Sequence, residues 1–309
     1  MSEIANSEPA PGLSLGRRAA TVAWALALAL IVTVAGAIVA FGLGMIGLYL
    51  YGVMRPEESL TQVDEVLLKQ APIALLCGAF TVLSTYSVLV RLVEKRDRVE
   101  LAPKGAWREA ARGAGLAVAA FALLMAVLTL IGAVTWGPPS LVDWRWAIPD
   151  RLVTGIAGGV VMAVVVQGVL TRLLAKALGP IPAVVLAAVL VACFYPASDG
   201  PLLLAQRLGA LLGGAILALT YLRNGRLWLG MGLAGAWGAL VQLVTGGYAL
   251  EGGYDGTTAF ISEPERGALV SWLRGSSGPE SSVPLLIGGV LVVGWLAWRA
   301  WKEGAFSRA

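Results

Sequence analysis

Few residues of this 309-residue chain could do chemistry, and the missing types narrow it as much as the present ones. The chain has no histidine, which removes the commonest metal ligand and the one side chain that titrates near neutrality without perturbation. Cys77 and Cys193 lie in separate apolar runs, where thiols act as small buried hydrophobes, and no metal-ligand spacing joins them. The polar residues inside apolar stretches are uncharged: Gln167, Gln242, Tyr195, the run Ser84-Thr85-Tyr86-Ser87, and Thr220-Tyr221. In lipid such side chains join helices through hydrogen bonds, or they orient a bound ligand. Trp24, Trp237 and Trp295 share these stretches and suit core packing or the lining of an apolar cavity. A charge at membrane depth would mark a functional site. However, Arg172, Arg207, Arg223, Arg226 and Arg299 all stand at the ends of apolar runs and read as anchors that reach toward the interface. Proton- or ion-coupled transport therefore lacks its usual carriers.

The elements that position these residues are membrane helices. Hydrophobic residues make up 58% of the chain and charged ones 14%, with mean hydropathy +0.78; a soluble domain carries about 25% charged residues. This balance excludes a soluble enzyme, a disordered regulator and a secreted disulfide scaffold. A crossing helix needs about 20 apolar residues, and eight runs approach that: Ala19–Met54, Gln70–Val90, Gly113–Trp136, Leu152–Thr171, Ala177–Ser198, Leu208–Leu222, Leu227–Leu250 and Ser282–Trp298. The expected fold is all-α, a polytopic membrane bundle of about eight transmembrane helices. The first run exceeds the hydrocarbon thickness and must tilt, kink near Gly42 or Gly44, or pass the interface. The sixth and eighth runs are the shortest.

Lys and Arg total 16 in alternate connecting segments counted from the N-terminus and 7 in the others. The positive-inside rule then puts both termini in the cytoplasm, with a short tail at 1–18, one transmembrane domain at 19–301 and a tail at 302–309. The net charge of +4 and pI near 9.2 follow from this bias. The segment from Arg91 to Arg112 faces anionic headgroups, and no nucleic-acid partner is expected. Gly158-Gly159, Gly213-Gly214 and Gly288-Gly289 read as close helix packing, since no Walker or dinucleotide pattern accompanies them. The outer segment 251–281, with Tyr254, Phe260 and Trp272 spaced between acids, is a candidate partner surface, because loops this long are usually functional or disordered.

Four stretches in order carry a family resemblance: Arg91-Leu92-Val93-Glu94-Lys95-Arg96 with Glu100-Leu101 and Trp107-Arg108-Glu109; Gln167-Gly168-Val169-Leu170; Tyr221 to Trp228; and Gly275 to Glu280. Together they resemble the CAAX proteases and bacteriocin-processing enzymes (CPBP), intramembrane glutamate-dependent metalloproteases with eight helices. The resemblance implies a Glu-Glu-x-x-x-Arg motif where this chain has Met162, Ala163 and Gln167. A histidine is implied where Tyr195 stands, and a His-x-x-x-Asn motif falls on Gly235 and Ala239. Metal-assisted hydrolysis needs ligands and a carboxylate base, which a thioether, a methyl group and a hydrogen do not supply. The resemblance thus implies a degenerate member, with no catalytic residues, no metal and no cofactor, in a bacterial cytoplasmic membrane.

Three readings stay open. The first is a noncatalytic scaffold or interaction subunit with a membrane-protein partner. The second is a binding module for a lipid, quinone, prenyl chain or peptide, with Gln167, Tyr195 and Trp237 lining the former site. The third is a residual protease drawing on Asp199 or Glu280.

Overall fold

A computed structural model describes residues 14–54, 63–97, 99–136, 144–194, 202–245, 261–262 and 282–306. The candidate residues Tyr195, Asp199, Tyr254, Phe260, Trp272 and Glu280 lie outside them. The described residues form α1 (Leu15–Met54), α2 (Val63–Leu92), α3 (Ala106–Leu130), α4 (Trp144–Met162), a π-helical segment (Ala163–Thr171), α5 (Arg172–Leu178), α6 (Pro180–Phe194), α7 (Leu202–Asn224), α8 (Trp228–Thr245) and α9 (Val283–Lys302). Because α4, the π segment and α5 run on as one rod, the described residues form eight rods, in agreement with the eight apolar runs.

Six of the rods are long and apolar enough to cross a membrane, and the helices at Pro180–Cys193 and Trp228–Val244 are shorter. The short pair therefore differs from the one expected. The sixth and eighth rods extend past their apolar runs through Arg207, Arg223 and Arg299, reaching 23 and 20 residues, because polar side chains at a helix end can reach water while the backbone stays wound. By contrast, α6 has 15 residues, about 22 Å of helix against a hydrocarbon layer of about 30 Å. It begins one residue after Gly179, whose φ of 92° ends α5. The fourth run continues to Leu178, and the third stops at Leu130, after which Thr135–Trp136 pairs antiparallel with Ile261–Ser262. This ladder ties the α3–α4 connection to the segment expected to be the outer loop. Helix α1 is wound without interruption through Gly42 and Gly44.

Lipid tails give no hydrophobic drive for helix to meet helix, so close packing of small residues holds such bundles together. One member of each glycine pair does this. A Cβ on Gly214 would stand 3.0 Å from the Ala188 Cα, and one on Gly289 would stand 2.8 Å from Leu212 Cδ1. At Gly159 a Cβ would overlap the backbone of Gly235, whereas Gly158, Gly213 and Gly288 face open space. Helix α8 is the most tightly held. Gly155 and Gly159 of α4 press on it from one side, and Gly113 of α3 meets Leu229 and Leu233 from another. One apolar cluster packs Leu170 and other residues of the π segment against Leu28, Tyr86, Leu217 and Leu227. A second joins Phe121, Leu124, Met125, Leu128 and Val241.

Candidate functional site

The seam between α4 and α8 brings together most of the positions that the resemblance singles out. Gly155 lies against Ala239 and Gly159 against Gly235, so the two helices run antiparallel. Ala163 follows Gly159 by four residues and shares its face; it is fully buried, and Met162 beside it is half-buried. One further turn along, the Gln167 amide fills the space that a Cβ on Gly230 would need. The seam is therefore backbone against backbone at Gly155 and Gly159, and side chain against glycine at Gln167.

Gln167 is fully buried. Its Nε2 donates to the Leu217 carbonyl at 2.8 Å and to Thr220 Oγ1 at 3.0 Å, and Thr220 in turn donates to the same carbonyl at 2.8 Å. Its Oε1 is buried with no hydrogen-bond partner. Such an orphan costs about 1–3 kcal/mol. The surrounding winding is π-helical, a form enriched at functional sites, and Thr171 Oγ1 donates to the Val166 carbonyl five residues back at 2.7 Å. Trp237 does not join Gln167. It points to the second cluster, edge-on to Phe121 with ring centroids 5.6 Å apart.

A Cβ on residue 230 competes directly with the Gln167 amide. The expected outcome is that Gly230→Ala lowers stability by about 2 kcal/mol and that Gln167→Ala in the same chain restores most of the loss. Unfolding titrations in detergent of the single and double variants check this.

The charged cluster at the end of the bundle nearest residues 91–112 was not legible from spacing. Arg172, expected to be an interfacial anchor, is instead turned inward. Its Nη1 and Nη2 donate to the two Glu94 carboxylate oxygens at 2.6 and 2.8 Å, and its Nε donates to the Gly168 carbonyl at 2.7 Å. These side chains are 15% and 13% exposed. Glu100 is 2% exposed; it accepts from the Tyr86 hydroxyl and, at 3.0 and 2.6 Å, from Arg96. Two guanidiniums and two carboxylates thus alternate, and Tyr86 links them to the π segment at Gly168. The sequence signal was the pair of acids, Glu94 and Glu100, within a basic segment.

Burial raises the pKa of the Glu94 carboxyl, but the hydrogen bonds and charge of Arg172, with Arg96 adding to them, outweigh burial and hold it at about 2 against an ordinary 4.5. Glu100 is likewise lowered, burial being outweighed by its bonds from Arg96 and Tyr86. A lowered carboxylate contributes stability that is present above its unfolded-state pKa and lost as pH falls through the folded one. Melting temperature in detergent is therefore expected to fall between pH 4.5 and about 2, and Glu94→Gln is expected to flatten the profile in that window.

Among the described residues no group of three or more His, Cys, Asp or Glu could hold a metal ion. The thioether, methyl and hydrogen at Met162, Ala163 and Gly235 offer no ligand set, so the donors present do not fit the metal that the resemblance implies. Glu94 and Glu100 are engaged by arginines.

Residues 144–240 match the family model described as Type II CAAX prenyl endopeptidase Rce1-like. The match takes in the stretches at Gln167 and at Tyr221 to Trp228; the first and fourth stretches lie outside it. No curated protein and no solved structure matches the chain. The chain is a multi-pass, integral membrane protein whose residues 144–240 form an Rce1-like segment, similar to the type II CAAX prenyl endopeptidases.

Proposed function

We propose that the protein is a noncatalytic relative of these endopeptidases that acts as a scaffold or interaction subunit of a membrane complex, with both termini on the cytoplasmic side. The observation that carries this reading is the α4–α8 seam, where Gly159 packs directly on the Gly235 backbone and the positions that the resemblance gives to metal ligands carry Met162, Ala163 and Gly235. Hydrolysis of a peptide needs a held ion, or another electrophile, and a base. Met162, Ala163, Gly235 and Ala239 provide neither, so the scaffold is retained for what it contacts rather than for what it cleaves. Purification from native membranes in mild detergent, with mass spectrometry of copurifying proteins, tests this: a stoichiometric membrane-protein partner is the expected result, and a lone protein contradicts it.

The unpartnered Gln167 Oε1 favours a second reading, a binding module in which a hydroxyl or amide donor of a lipid, quinone, prenyl chain or peptide meets that acceptor. This reading predicts a stoichiometric small molecule in the organic extract of the same preparation, depleted in Gln167→Leu.

A further inference from the structure

Helix α9 ends in a group of aromatic and basic residues that belongs to neither the α4–α8 seam nor the charged cluster. We propose that the corner between α7 and α9, built from Arg223, Trp295, Trp298, Arg299 and Lys302, binds the headgroup of an anionic phospholipid whose acyl chains lie along α9. The inference needs only that the chain spans a bilayer. It therefore stands apart from the noncatalytic reading and from the assignment of the cytoplasmic side.

Helix length sets the depth. The 20 residues of α9 rise about 30 Å, equal to a hydrocarbon layer of about 30 Å, so the last turn, with Arg299 and Lys302, stands at headgroup level. Helix rotation sets the direction. Gly289, Leu296 and Ala300 are buried, and a Cβ on Gly289 would meet Leu212 of α7. By contrast, Ile287, Leu291, Trp295, Trp298 and Lys302 are exposed and follow one another at spacings of three or four residues, which puts them on one stripe of the helix. The stripe is apolar in its first turns, aromatic next and basic at its end. That is the order of acyl chains, interface and phosphates across one leaflet.

The side chains at this corner hold one another in place. Arg223 Nε and Nη2 donate to the Glu303 carboxylate at 3.0 and 2.9 Å, and Arg299 Nε donates to it at 3.2 Å. Both guanidiniums also approach the Trp295 ring, with Cζ 6.0 and 5.8 Å from its centroid. The Lys302 ammonium lies 4.1 Å from the Trp298 centroid. An anchor that only snorkels extends its charged head into water, whereas these three cations are folded onto rings and, for the arginines, onto a shared acid. A ligand meets them with less side-chain freedom left to lose.

Charge decides what the ligand is. Arg223, Arg299 and Lys302 bring three positive charges against the one negative charge of Glu303, so the group carries a net +2. Arg226, in the turn after α7, leaves this balance unchanged because it pairs with Glu109. Positive charge at phosphate level, beside exposed rings and in line with lipid-facing Ile287 and Leu291, complements a molecule that is anionic at its head and apolar below. Basic sites between membrane helices recognise anionic lipids in this way. An acidic segment of a soluble partner would match the charge but not the apolar stripe.

The test is native mass spectrometry of the full-length protein in detergent, titrated with dioleoylphosphatidylglycerol or dioleoylphosphatidylcholine. Phosphatidylglycerol is expected to be retained with an apparent affinity about tenfold or more above that of phosphatidylcholine. Arg299→Gln with Lys302→Gln removes two positive charges while the Arg223–Glu303 pair stays in place, and is expected to abolish the preference. Arg17→Gln with Arg18→Gln removes the same charge from the exposed first turn of α1 and is expected to preserve it. Equal retention of the two lipids, or equal loss of preference in the two double variants, overturns the site and leaves its cations as ordinary interfacial anchors. Melting temperature gives a second reading. Phosphatidylglycerol is expected to raise it by mass action in the unaltered protein and in the variant at 17 and 18; no rise, or an equal rise in the variant at 299 and 302, contradicts the proposal.

Discussion

Arg172→Gln is expected to cost about 3 kcal/mol of stability, at the low end for breaking a buried ion pair, because both partners keep a little exposure. The change leaves Glu94 with Arg96 alone as its guanidinium partner and removes the Arg172 donor to the Gly168 carbonyl, so the rod loses its ion pair with the segment that follows α2. Much of the loss is the cost of a buried carboxylate that has lost the stronger of its two guanidinium partners, rather than the net worth of the bond. Glu94→Gln combined with Arg172→Gln should therefore be more stable than Arg172→Gln alone. Arg299→Gln offers the contrast: its contact with Glu303 is 3.2 Å long between exposed side chains, and pairs of that kind are worth about 0–1 kcal/mol. Detergent unfolding curves of the three variants decide this, and equal losses at Arg172 and Arg299 would refute the inward placement of Arg172.

Gly159→Ala is expected to cost about 3 kcal/mol or to block assembly of the bundle, while Gly158→Ala, one residue away, is neutral or gains up to about 1 kcal/mol. A methyl group at 159 overlaps the Gly235 backbone, and the obstacle is main chain, which cannot rotate away. At 158 the Cβ enters open space, so only the helix propensity of alanine over glycine is felt. The paired substitutions separate a closed seam from a loose one. If both variants express and unfold alike, α4 and α8 are not in backbone contact, and the argument that the former site is filled falls with them.

Much of the bundle was legible because lipid simplifies the code. Twenty-residue apolar runs must be helices, as their backbone groups have no other partners in hydrocarbon, and the eight runs became eight rods. Their ends were less legible. Arg207, Arg223 and Arg299, read as anchors at the ends of apolar runs, are wound into α7 and α9. The glycine pairs were readable as packing, but which member of each pair faces a neighbour depends on helix rotation, and that is fixed only by the partner helix.

At the candidate site, the resemblance singled out Ala163, Gln167 and Gly235, and the structure places Gln167 against Gly230 of the same helix as Gly235. The direction of Trp237, toward Phe121, was not readable, because its helix is apolar all round. The ionic cluster was hidden for a different reason. Arg172 and Glu94 are 78 residues apart, and an arginine at the end of an apolar run looks the same whether it reaches for water or for a buried carboxylate.

The central claim, a retained scaffold without hydrolytic chemistry, is tested most directly by presenting the purified protein, reconstituted in lipid vesicles, with a prenylated CAAX peptide in the presence and absence of added zinc. The account predicts peptide cleavage no higher than with protein-free vesicles under either condition. Metal-dependent cleavage that tracks protein concentration and disappears in a Gln167→Ala variant would contradict it.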